Sequence, residues 1–134
     1  MSTNDNKTPI AQTGTLDELN KLIWNHLKAR DWHHQPTRGL AISLNLEAAE
    51  LLEHYQWGDE PAGGVSAVAE ELADVFIYTL QVAQQNDIDI AAEVRKKIEK
   101  SAKKYPANDF KGKTVEDRSE VWIKRKLAHQ KEGL

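Results

Sequence analysis

The sequence predicts an all-α chain, and three observations predict it. Apolar residues recur at helical spacing in successive stretches. No period-two alternation of useful length interrupts them. Turn-forming residues separate them, at Asp31–Pro36, Gly58–Gly64, Asn86–Ile88 and Pro106–Lys113. The expected architecture is a four-helix-bundle-like core with an extra C-terminal helix, in one domain over residues 15–134, preceded by a polar, mobile tail over 1–14.

The elements follow in order. Thr15-Leu-Asp-Glu18 is a capping box that opens the first helix, and Leu16, Leu19, Ile23 and Leu27 carry it to about Arg30. Pro36 keeps the connector after it non-helical. Thr37 is placed to cap the second helix, which is expected to reach Trp57. The third runs from about Val65 to Gln85. Asp89 is placed to cap the fourth, whose apolar stripe is Ile90, Val94 and Ile98, and which ends before Pro106. Residues 107–113 read as a loop, and a last polar helix spans about Val115 to Gln130.

Composition excludes several classes. The chain has 134 residues and a net charge of −3, so no basic excess points to a nucleic-acid polymer. No apolar run reaches membrane-span length. Residues 1–14 lack the apolar region of a secretory signal. With no cysteine, disulfides and thiolate metal sites are excluded, and the expected location is cytoplasmic.

Residues 44–57 are the organising stretch. At about 100° per residue, Ser43, Glu47, Glu50 and His54 share one narrow sector, and apolar residues cover most of the remaining circumference. Residues 68–85 repeat the arrangement, with Glu71, Asp74, Tyr78, Gln81 and Gln85 on one stripe. A helix apolar nearly all round is expected to be buried, and carboxylates on its polar stripe need compensation. Any one of these acids alone is most simply a solvated surface residue. If the two stripes face each other, four carboxylates converge, and an all-oxygen set suits Mg²⁺, with Mn²⁺ as the alternative. A di-iron bundle requires Glu-x-x-His on two helices, and neither stretch contains it. His54 is expected beside the ligands. His33 and His34 have no second pair at zinc-ligand spacing and read as loop residues or as neighbours of a substrate.

Lys97, Ser101 and Lys104 recur at i, i+4 and i+7. They form either a solvated face or a phosphate-binding row, to which Lys111 and Lys113 could add. Trp32, Trp57 and Tyr78 are either core aromatics or surfaces on which a nucleobase stacks. The apolar excess of the second and third helices exceeds what one small bundle can cover, which suggests a subunit interface.

Four segments in order, Arg30-Asp31-Trp32, Glu47 to Trp57, Glu70 to Tyr78 and Lys104-Tyr105-Pro106, resemble the MazG-like all-α nucleotide pyrophosphohydrolases, with most similarity to the dCTP pyrophosphatase branch. The resemblance implies Mg²⁺-dependent hydrolysis of a nucleoside triphosphate to monophosphate and pyrophosphate, a housecleaning role on nucleotide pools, and assembly as a homodimer or homotetramer. It puts the metal on Glu47, Glu50, Glu71 and Asp74, base and sugar contacts on Trp32, Trp57 and Tyr78, and phosphate contacts on Lys97 and Lys104. Ser101 stands where many relatives have Asn, and the connector 33–36 is shorter than in the dCTP branch. Glu47 or Glu50 is the expected general base. The alternative is a non-catalytic helical oligomer that binds a nucleotide or a partner protein.

Overall fold

The computed structural model describes Lys7 and residues 9–132. Part of the expected tail, residues 1–6 and 8, lies outside the described residues. The described residues form five α-helices: α1 Leu16–Lys28, α2 Thr37–Glu53, α3 Gly64–Gln85, α4 Ile90–Lys104 and α5 Val115–Lys131. The described residues contain no strand, as the periodicity predicts. None of these helices is long and apolar enough to cross a membrane. The chain divides into two compact units, one ending at Ile88 and one beginning at Asp89.

In the first unit, α3 packs against both α2 and α1. Leu27, Leu40, Leu80 and Ala83 are its buried apolar positions. The capping box of α1 forms as the sequence predicts. The Thr15 hydroxyl accepts the Glu18 N–H at 3.2 Å, and the Glu18 carboxylate accepts the Thr15 N–H at 3.0 Å. Two glutamines tie α3 to the N-terminal part of the chain. The Gln84 amide donates to the Asn20 carbonyl and side chain at 3.0 and 2.9 Å, and Gln85 donates to the His33 carbonyl.

Both α1 and α3 end in a left-handed turn. Asp31 has φ 55° and Asp87 has φ 53°. The Trp32 N–H reaches back to the Leu27 carbonyl and the Ile88 N–H to the Ala83 carbonyl, each at 2.9 Å. These six-to-one bonds satisfy carbonyls that a helix end otherwise leaves open. The first of them directs Trp32 back along α1.

Two expectations require correction. Thr37 does not cap α2. It is the first helical residue, and Pro36, with φ fixed at −59°, is the cap, without a side-chain hydrogen bond. The second helix stops at Glu53 rather than Trp57. Beyond it Tyr55 and Gln56 donate to carbonyls three residues back, and the Ala62 N–H closes the loop on the His54 carbonyl at 2.8 Å. Gly64, at φ 76°, supplies the left-handed step from which α3 starts. The apolar excess expected on the second and third helices is present. α2 and α3 are apolar nearly all round, yet Ile42, Leu46, Leu52, Leu72 and Phe76 are exposed in the single chain. Three helices cannot enclose both.

In the second unit, Asp89 and Thr114 cap α4 and α5, accepting N–H groups of Ala92 and Asp117 at 3.0 and 3.1 Å. The expected loop between them contains a 3₁₀ turn, Ala107–Asp109. Tyr105 stacks on Trp122 with ring centroids 6.3 Å apart and meets the edge of Phe110 at 6.0 Å. Arg125 of α5 pairs with Asp109.

Candidate functional site

Packing of α2 on α3 brings their acidic stripes together. One carboxylate oxygen each from Glu47, Glu71 and Asp74 lies within 4.8 Å of the other two. Three carboxylates gathered in this way are a donor set that would suit a hard divalent cation such as Mg²⁺. Glu50 is one turn further along α2, exposed to solvent, and does not join the trio. It is nevertheless close enough to act on Glu47. The half-buried Glu47 carboxyl is raised above the ordinary glutamate value. Burial is the largest cause, followed by the charge of Glu50, that of Asp74, a proton shared with Glu50, and the charge of Glu71. The other three acids of the two stripes therefore all act on Glu47.

His54 lies beside the converging acids, as its place on the stripe implies. Its Nε2 is 3.5 Å from the Glu71 Oε1, and both side chains are only 20% exposed. Gly63 makes room for that ring. A Cβ at position 63 would lie 3.0 Å from the His54 Cε1 and 2.7 Å from the Ala67 Cβ. Periodicity gives no sign of this role, because Gly63 reads only as a turn residue.

A cleft of about 480 Å³ adjoins the carboxylates. α1 contributes apolar residues and His26, the connector contributes Trp32 and Gln35, and α3 contributes Asp74, Tyr78 and Gln81. Asp74 belongs to both features: it is one of the converging acids and it lines the cleft. An anionic group held at the acids through a cation would thus have an apolar, aromatic-walled chamber beside it.

The structure therefore brings Trp32 and Tyr78 together and leaves Trp57 apart. Trp57 is 87% exposed in the loop after α2 and does not line the cleft. His33 packs edge-on against Trp24 at 5.4 Å, a structural contact in the connector. Lys97, Ser101 and Lys104 belong to the second unit. Lys97 and Ser101 are exposed, and the Lys104 ammonium lies 5.3 Å from the Tyr105 ring centroid.

Known proteins match this chain in sequence and in structure. The MazG-like family profile covers residues 42–118. The dCTP pyrophosphatase 1 of Rattus norvegicus is 32% identical over 108 residues, 73% of this chain and 63% of that protein. That of Homo sapiens is 33% identical over 104 residues, 70% of this chain and 61% of that protein. The chain thus spans less than two thirds of the length of these relatives. A crystal structure of a pyrophosphatase from Archaeoglobus fulgidus superposes with a TM-score of 0.61 at 31% identity, over 73% of this chain and 99% of that one.

Proposed function

The chain belongs to the MazG-like family, and from that premise we propose that it is a metal-dependent nucleoside triphosphate pyrophosphohydrolase. It converts a nucleoside or deoxynucleoside triphosphate and water to the monophosphate and pyrophosphate. The observation that carries this reading is Asp74, shared between the converging acids and the aromatic cleft. The acids serve the phosphate end of a nucleotide and the cleft serves its base, with Tyr78 and Trp32 as the stacking surfaces.

Glu47, Glu71 and Asp74 hold the ion, and Glu50 completes the acidic set. A bound Mg²⁺ or Mn²⁺ neutralises phosphate oxygens and makes the attacking water more acidic. Glu50, exposed and outside the trio, is the carboxylate we assign as base. The water oxygen attacks the α-phosphorus, its proton passes to a carboxylate, and the bond to the bridging oxygen of the β-phosphate breaks. Pyrophosphate leaves with the electron pair. The assignment of phosphate contacts to Lys97 and Lys104 rests on the sequence resemblance. The names of the relatives make dCTP the first substrate to test, within a housecleaning role on nucleotide pools.

The apolar residues exposed on α2 and α3 support a homo-oligomer, a dimer or a tetramer. Light scattering on the purified chain measures it directly, and Phe76→Glu is expected to shift it towards monomer.

The decisive assay incubates canonical and modified triphosphates with Mg²⁺ and resolves the products by chromatography. Monophosphate and pyrophosphate are expected, and excess EDTA should remove the activity. Diphosphate with orthophosphate would indicate a different hydrolase. Binding without products would indicate the non-catalytic alternative.

A further inference from the structure

Among the described residues, Gln81 is the polar side chain recorded as buried, at 6% exposure. Its neighbours Gln84 and Gln85 are each tied to another part of the chain, to Asn20 and to His33. Gln81 makes no side-chain hydrogen bond among the described residues. Its surroundings include the cleft, which it lines together with Tyr78 and Asp74. Its amide atoms are not among the fully enclosed polar atoms that lack a partner, so the amide opens onto the cleft and is free to exchange water for a group bound there.

We infer that Gln81 reads the hydrogen-bonding edge of the base, and the inference rests on the reading of the cleft as the base chamber. Gln81 follows Asp74 by seven residues of helix, two turns and a rise of about 10 Å. Tyr78 lies between them on the same stripe. A nucleotide whose α-phosphate is at the acids and whose ring lies against Tyr78 presents the far edge of that ring to Gln81. The amide offers a carbonyl acceptor beside an N–H donor. Cytosine offers the complement side by side: its exocyclic amino group donates and its N3 accepts. Stacking on Tyr78 and Trp32 alone would hold every base without distinguishing their edges. Gln81 adds the discrimination.

The test is a deletion cycle between side chain and base. The substrates are cytidine triphosphate and its 2-pyrimidinone analogue, which lacks only the exocyclic amino group. Wild-type protein is expected to prefer the cytosine substrate in kcat/KM by about tenfold, the effect of one lost hydrogen bond. Gln81→Leu should reduce that preference to at most about twofold. Gln81→Glu keeps an acceptor for the amino group and should retain the preference. Melting temperatures of the variants accompany the kinetics, because a merely structural glutamine would move stability without moving the ratio. Wild-type turnover with no preference between the two substrates overturns the inference, as does a preference that Gln81→Leu preserves. Both outcomes leave the pyrophosphohydrolase reading intact. Wild-type protein that releases no pyrophosphate from any triphosphate overturns that reading, and the role of Gln81 falls with it.

Discussion

α2 and α4 both carry charged side chains in rows at helical spacing, and they differ in what surrounds the charge. On α2, Glu47 and Glu50 lie on the narrow polar stripe of an otherwise apolar helix. Its packing against α3 brings Glu47 within reach of Glu71 and Asp74. On α4, Lys97, Ser101 and Lys104 share a helix with Glu93, Lys96, Lys100 and Lys103. Lys96 pairs with Glu93 at 2.7 Å on an open surface, where an ion pair contributes little. The informative quantity is thus the scarcity of other polar surface on the element. An acid on an apolar helix has to be compensated by something, whereas a lysine on a polar helix already has water.

The largest expected effect tests the α2–α3 side. Glu71→Gln keeps the shape of the side chain and removes one ligand charge. We expect it to lower kcat/KM by at least about a thousandfold, equivalent to roughly 4 kcal/mol of transition-state stabilisation. The melting temperature in EDTA should not fall. Steady-state kinetics at saturating Mg²⁺ together with a thermal melt make the check. A variant with near-normal kinetics would reduce the acidic stripe to the status of the α4 row.

The next effect tests α4 itself. If its row holds phosphates, Lys97→Ala should lower kcat/KM by about 30- to 150-fold, the loss of a charged contact worth roughly 2–3 kcal/mol. Ser101→Ala should cost only a few-fold, since a hydroxyl is shorter than an amide and offers one donor. Ser101→Asn should be neutral or mildly beneficial. The three variants are compared at constant ionic strength. Equal losses at Lys97 and Ser101 would mean that the hydroxyl touches substrate directly. No loss at either would make the row a solvated face and complete the contrast with α2.

What was legible in the sequence divides along the same physical line. The capping box at Thr15–Glu18 and the cap at Asp89 are local chemistry, and both form as read. Three of the four acids expected to converge do so: the spacing i, i+3 puts Glu71 and Asp74 on one face whatever the helix packs against, whereas the helix packing that selects Glu47 and leaves Glu50 outside is not encoded in that spacing. Trp57 is not the end of the second helix, which stops at Glu53, so it sits in the following loop and outside the cleft of the single chain. Beyond Glu53, helical spacing has no meaning. The route of Trp32 into the cleft depends on the left-handed Asp31, a backbone feature that no hydrophobic period encodes. The exposure of Leu46 and Phe76 follows the apolar excess read on these two helices, although an apolar pattern shows that cover is needed and not which chain supplies it. Gln81 lay on the stripe in plain sight, three residues beyond Tyr78. Its role needed its burial, which spacing alone does not give.

The smallest expected effect concerns the cost of assembling the acids without a cation. The folded-state value of Glu47 is raised, by burial first and then by its acidic neighbours. An acid raised in this way holds its proton more tightly in the folded chain than in the unfolded one. Folding therefore takes up a proton between the ordinary glutamate value and the raised one, and metal-free stability falls as pH rises through that window. Above it, the repelled charge of Glu47 is a full liability. Glu47→Gln removes the charge, so in EDTA at pH 7 the variant should melt a few degrees above wild type. The gap should narrow as pH falls towards ordinary carboxylate values, because wild type then acquires the proton that makes Glu47 neutral. Added Mg²⁺ should reverse the order, since a ligand stabilises the state that binds it and the variant binds it less well. Melts at pH 7 and pH 5, each with EDTA and with Mg²⁺, separate these terms. A gap independent of pH would show that the neighbours do not act on Glu47, and α2 would then differ from α4 only in the sign of its charge.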